Sequence, residues 1–275
     1  MDHALSEPSL AAYASHLAGF CVRYFVLAGG IYVLFHRLFR RRWQAYRIQQ
    51  PFPSRRIVGY EIGWSLLNAA CTGASTMLIY WLARAGRSSM YRDVGEYGWR
   101  YLGASAALVV VGYDAWIYWQ HRWMHTPWLF RHVHAVHHRV RNPTAFGAFA
   151  QHPLETFLGN AYFVLIALFV PIHALAVAAA GGFLFVVALL AHSGYEFYPR
   201  GFTRHPLLGW LNTSTHHNMH HSRVGCNYGL CLNVWDRLLG TNDAAYHQTF
   251  DAIARRRGQP VDPPTAFPAV EQRAA

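Results

Sequence analysis

Residues 157–191 read FLGNAYFVLIALFVPIHALAVAAAGGFLFVVALLA, thirty-five positions without one charged side chain. About 20 apolar residues in a helix cross the hydrocarbon of a bilayer. The run is therefore too long for one upright helix and slightly short for two full spans. Near its middle, Pro171-Ile172-His173 interrupts it, because proline lacks the backbone donor that a continuing helix needs. The run reads as a tight helical hairpin, and it puts the chain in a membrane.

Working outward, three further stretches have the length and apolarity of spans. Residues 17–35 carry one charge, Arg23, near one end where it can snorkel. Residues 62–82 carry none, and residues 101–120 carry only Asp114. Composition agrees: 53% of the 275 residues are hydrophobic, 16% aromatic and 13% charged, where a soluble domain carries about 25% charged residues. The N-terminus shows no basic segment ahead of its apolar run and no small-residue cleavage site, so no removable signal peptide is expected.

All 24 basic residues are arginine, against 13 acids. They flank apolar runs instead of covering one face, which argues for anionic lipid head groups and against nucleic acid. Residues 36–56 hold seven arginines and no acid, whereas residues 83–100 hold four arginines with Asp93 and Glu96. The excess of positive charge makes the first loop cytoplasmic. Cys21, Cys71, Cys226 and Cys231 show neither CxxC nor framework spacing, so they read as packing residues. The expected fold is an all-α integral membrane protein of about three transmembrane helices plus a helical hairpin, with a cytoplasmic-side helical cap. Its parts are membrane helices and an arginine-rich loop over 1–100, a histidine-rich domain over 101–250, and a loose tail over 251–275.

Fourteen of the 18 histidines lie between His121 and His221. In HRWMH, His121 and His125 are i and i+4, on one helical face, and Asp114 and Tyr118 precede them on that face. HAVHH places His134, His137 and His138 at i, i+3 and i+4, and HHNMHH repeats the spacing with His217, His220 and His221, His216 preceding them. An isolated histidine on an apolar face is usually a satisfied core residue, but three boxes with matched faces point to metal. His152 in QHPLE and His192 in AHSG are two more candidate ligands, and Glu155 is positioned to receive an imidazole N–H. Asp114, Tyr118 and His216 are expected in the same outer, orienting role. His132, His173 and His205 read as loop or solvated residues. Eight to ten imidazoles exceed the needs of one ion, so two metals are implied. Imidazole suits zinc, copper, iron and nickel alike, and a closed structural zinc site more often uses cysteine, which favours a redox metal.

The motifs HRWMH, HAVHH with QHPLE, AHSGY, HHNMHH, NYG at 227–229 and WDRLLGT at 235–241 together resemble the fatty acid hydroxylase/sterol desaturase superfamily. The resemblance covers about 113–241. It implies a membrane-bound non-haem di-iron oxygenase that holds two iron ions and uses O₂ to hydroxylate or desaturate a C–H bond of a lipid of sterol or fatty-acyl type. It assigns His121, His125, His134, His137, His138, His217, His220 and His221 to the boxes, with His152 and His192 at accessory positions. The chain has no GxGxxG after a strand, no Walker pattern and no HPGG haem signature, so electrons are expected from a separate haem or iron–sulfur carrier and its reductase. A membrane metal-binding or metal-transport protein is the rival reading, but transport would place its ligands at midplane depth in several spans, and here they gather at one membrane edge.

Overall fold

The computed structural model describes residues 8–257. Ten α-helices and several single turns of 3₁₀ or π helix make up the described residues, with no strand. Four helices are long and apolar enough to cross a membrane: α1 (Leu10–Tyr32), which continues through a π turn to Leu38, α2 (Arg55–Arg84), α3 (Gly98–Met124) and α7 (Ala174–Ala191). Between them lie two short helices, α4 (Pro127–Leu129) and α5 (Ala135–His138), and the 17-residue α6 (Pro153–Phe169). The apolar run is thus a hairpin of α6 and α7 that turns at Val170–His173, and α6 is its shorter arm. This is an integral membrane protein.

Local chemistry sets the helix starts. Ser9 and Ser54 cap α1 and α2, their hydroxyls accepting from Ala12 N and Ile57 N. His173, read as a loop residue, caps α7 by accepting from Leu175 N at 2.9 Å. Because α1 begins at Leu10 rather than near residue 17, Arg23 stands about 20 Å along the helix, well inside the span. Its side chain is exposed and borders a cavity in the bundle.

The long helices run antiparallel in sequence order, which gives the bundle two ends. At one, Ser89 N and Tyr91 N donate to Ala167 O and Ile172 O of the hairpin turn. At the other, Ile48 N donates to Gly194 O, and the Tyr195 hydroxyl donates to Phe35 O at 2.7 Å. The arginine-rich loop, the C-terminus of α3, the N-terminus of α6 and the C-terminus of α7 all meet at that second end. A short segment, Ala145–Phe149, dips between α1, α2 and α7, where Phe146 packs on Tyr24 and its carbonyl accepts from the Tyr24 and Ser65 hydroxyls. The fully buried Glu61 of α2 accepts from Thr144 N and from the Thr144 hydroxyl and pins the start of that segment.

Three more helices close this end: α8 (Ser214–Arg223), α9 (Val234–Leu238) and α10 (Tyr246–Arg256). The tail expected from 251 starts later, because α10 buries Phe250, Ile253 and Ala254. The remainder of that tail, 258–275, lies outside the described residues.

Candidate metal centre

Nine imidazoles converge at the capped end as two adjoining groups. His121, His125, His134, His138 and His220 form one, and His137, His192, His217 and His221 form the other, with the nitrogens of each group within 4.8 Å of one another. The helical spacing of the boxes explains the division. Residues four apart share a face, so His121 stays with His125, His134 with His138, and His217 with His221. Adjacent residues diverge, so the doublets His137-His138 and His220-His221 each send one ring to either group. The rings touch across the boundary, with His138 and His221 centroids 5.1 Å apart. His134 ends a π turn, Phe130–His134, that leads into α5, so the expected regular helix is locally widened and underwound there.

Six of the nine rings have their Nδ1–H committed. His121 donates to Tyr228 O, His137 to Ala150 O, His192 to Ala188 O, His220 to Cys226 O and His221 to Val140 O, at 2.6–3.2 Å. His134 donates to Glu155 Oε2 at 3.0 Å. A neutral imidazole with Nδ1 protonated has a bare lone pair on Nε2. In the first group the bare Nε2 atoms of His121 and His134 face each other at 3.1 Å. In the second, the Nε2 atoms of His192, His217 and His221 form a triangle with edges of 2.9, 3.2 and 3.3 Å. Lone pairs held this close repel unless a cation sits among them. Nitrogens bound to one ion at about 2.1 Å and at right angles stand about 3 Å apart, so the spacing fits a metal ion.

The protonation state fits as well. Burial, reinforced by neighbouring imidazoles, pushes His125 and His192 down to about 3, and holds His138, His217, His220 and His221 well below the usual histidine range. These rings are neutral, ligand-ready donors at ordinary pH.

Other sequence candidates fall elsewhere. His152 is in neither group; its Nδ1 accepts from Leu154 N and caps α6. His216 lies apart, with Nε2 3.5 Å from Asp236 Oδ2 and its ring against Tyr246. Asp114 touches no imidazole. Its Oδ1 accepts from Cys231 N at 2.7 Å and Leu232 N at 3.1 Å. The Tyr118 hydroxyl donates to Thr241 Oγ1, which donates in turn to Asp236 Oδ1. These two residues therefore act one step further out than expected, on the loop that carries the Tyr228 carbonyl.

Asp236 was not singled out by the sequence reading, although it lies within WDRLLGT. It is fully buried and accepts from Tyr228 N and Gly229 N. Gly229 permits the tight loop: a β-carbon there would stand 2.5 Å from Leu232 O and 2.9 Å from Asp236 Oδ2.

A cavity of about 270 Å³ opens on His121, His137, His192 and His217 and runs into the bundle between Phe20, Phe149, Phe163 and Phe185. Its wall is mostly apolar, so the imidazoles face a space suited to a lipid body.

Residues 106–241 match the family model described as fatty acid hydroxylase. The chain is similar to lathosterol oxidase of Rattus norvegicus, 29% identical over 186 residues that make up 67% of this chain and 60% of that protein. It is also similar to a Delta(7)-sterol 5(6)-desaturase of Gibberella zeae, 32% identical over 163 residues, 58% of this chain and 48% of that one. The corresponding enzyme of Schizosaccharomyces pombe is 29% identical over 171 residues, 62% of this chain and 54% of its own. The chain thus spans about half to three fifths of the length of these curated relatives. No solved structure matches. The matched segment runs from within α3, through both imidazole groups, to the threonine that links Tyr118 to Asp236, and the chain belongs to the fatty acid hydroxylase/sterol desaturase superfamily.

Proposed function

We propose that this protein is a membrane-bound non-haem di-iron oxidoreductase that hydroxylates or desaturates a C–H bond of a lipid, of sterol or fatty-acyl type, with O₂ and with electrons from a separate carrier. The observation that carries the reading is the pair of converging, bare Nε2 sets at the mouth of an apolar cavity. His121, His125, His134, His138 and His220 would hold one iron, and His137, His192, His217 and His221 the other. Bound there, the two irons supply the oxidising power that an unactivated C–H bond demands.

The chain's own residues do the rest. The carbonyls of Tyr228, Ala150, Ala188, Cys226 and Val140 and the Glu155 carboxylate keep each Nδ1 protonated and each Nε2 aimed inward. The imidazoles, being neutral, would add no negative charge to the ions they hold. The phenylalanine-lined cavity orients the apolar substrate and excludes water from the reacting carbon. At the same end of the bundle, the exposed Arg37, Arg40, Arg41, Arg42, Arg139 and Arg141 present a basic surface to an acidic carrier protein, on what would be the cytoplasmic face.

The test is metal analysis after iron-replete expression, combined with oxygen uptake in the presence of a lipid extract, carrier and reductase. The expected result is two irons per chain and oxygen uptake that requires all three additions. Two zinc ions per chain with no lipid-dependent oxygen uptake would overturn the proposal.

A further inference from the structure

Two segments of the cap, 205–221 and 224–235, contain no Asp, Glu, Arg or Lys. They are joined where Asn212 N donates to Cys231 O and Asn233 N donates to Trp210 O. The joined stretch is tied to α3 by Asp114, whose Oδ1 accepts from Cys231 N and Leu232 N. Asp114 precedes His121 by seven residues, about 10 Å of helix.

That distance sets a depth. The Tyr101 hydroxyl donates to Pro171 O of the hairpin turn at one end of the bundle, and His121 belongs to the imidazole cluster at the other. The twenty residues from Tyr101 to His121 rise about 30 Å, the thickness of bilayer hydrocarbon. Asp114 therefore lies about 10 Å inside the hydrocarbon on the imidazole side, and the stretch bonded to it lies at the same level.

The backbone there is finished as a water-free setting requires. Irregular chain survives at membrane depth only where the protein satisfies its polar groups. Leu207 N and Leu208 N donate to His205 Nδ1, Gly209 N to His205 O, Trp210 N to Leu207 O and Leu211 N to Leu208 O. With Asn212, Cys231, Leu232 and Asn233, no amide of 207–212 or 231–233 is left to solvent. A loop in water needs no carboxylate for this, and a carboxylate inside a span is costly.

The outer surface is that of a lipid contact. Leu208–Trp210 is a 3₁₀ turn, whose three residues per turn stack Leu208 and Leu211 on one face, both exposed, with the exposed Trp210 between them. Arg237, which stacks on the Trp210 ring, donates to Thr203 O and Gly209 O. Across the joined stretch, Trp235 packs edge-on against Trp119 of α3, ring centroids 5.8 Å apart. Trp119 is exposed and shares a helix face with the exposed Leu108 and Val111. The patch is thus continuous with the face that a spanning α3 turns to lipid.

We propose that 207–212 and 231–233 form a re-entrant wedge seated among the acyl chains of the leaflet on the imidazole side, with Leu208, Trp210 and Leu211 touching lipid. The partner of this surface is the hydrocarbon of the bilayer. The cap is then partly immersed in the membrane instead of lying on it, and Asp114 is the group that lets the loop enter.

The experiment places a nitroxide at Leu211→Cys, and separately at Leu208→Cys, in the full chain with its four native cysteines replaced by alanine, reconstituted in phosphatidylcholine vesicles. Leu108→Cys on α3 and Gln248→Cys on the exposed side of α10 are the lipid and water references. Collision with O₂, which concentrates in hydrocarbon, is compared with collision with a water-soluble nickel chelate by power-saturation spectroscopy, on variants whose unfolding temperature matches that of the cysteine-free parent. The expected result is that both cap labels favour O₂ as Leu108 does, while Gln248 favours nickel. Preference for nickel at 208 and 211 would overturn the wedge, and so would shielding from both reagents, which would mean that a protein surface covers the patch. The measurement requires neither iron nor turnover, so it stands apart from the oxidase reading.

Discussion

The capped end of the bundle and its lipid-facing half are built on opposite rules. At the capped end the orienting groups are committed: six Nδ1–H groups to named acceptors, Asp236 to two backbone amides and a hydroxyl, Glu196 to Thr215 N and the Thr215 hydroxyl. In α1 and α2 the cavity wall sets Phe20 beside the scattered polar side chains of His16, Arg23, Asn68 and Thr72, and the helices approach one another at small residues such as Gly73 and Ala69. The family segment covers the first region and stops short of the second. Chemistry that tolerates little displacement is held by bonds to fixed groups, whereas selection of a lipid needs only shape and a few polar contacts, so the two are free to vary separately.

The sharpest way to break this division is at the imidazoles. His220→Ala and His217→Ala should each abolish turnover, and each should lower iron by the share of its own group, measured by metal analysis per chain. Full metal and turnover in either variant would remove the two-group assignment. A step outward, Glu155→Gln should keep the fold but lower metal affinity or activity by about 10–100-fold, as loss of an orienting carboxylate does, read by chelator competition. An unchanged affinity would mean that packing alone holds His134. In the other region, Gly181→Leu shortens the cavity at a position where a β-carbon meets nothing within 4 Å. Iron should be unaffected while the longest lipids lose roughly tenfold in relative rate against shorter ones. Smallest of all, His152→Ala should leave iron and selectivity alone and cost about 0.5–2 kcal/mol of stability as a lost helix cap, seen as a lower unfolding temperature. Loss of iron there would return His152 to the ligand set.

Much of this was legible beforehand. The uncharged run broken at Pro171 announced the hairpin, and the spacing of the three boxes announced which rings share a face. His192 ends an apolar helix beside the third box, and its ring lies with His137, His217 and His221. The failures share one physical cause. Most Nδ1 acceptors are backbone carbonyls, those of Tyr228, Val140 and Ala150 for example, and a carbonyl leaves no mark on residue identity. With the acceptors invisible, Asp114 and Tyr118 were given a role one step too close to the imidazoles. His152 sits in a motif with the right flavour but caps a helix, since its ring turns to Leu154 N.

The doublets His137-His138 and His220-His221 have a consequence for how the chain tolerates changes in length. Each turns one ring to either side of the boundary, so both imidazole groups depend on the same helical register. Inserting or deleting one residue ahead of either doublet rotates everything beyond it by about 100° and misaims ligands of both groups at once. Neither group can be misaligned by such a slip while the other is kept. Insertions are therefore expected to be absorbed in connections such as 197–213, while the boxes themselves keep an invariant residue count.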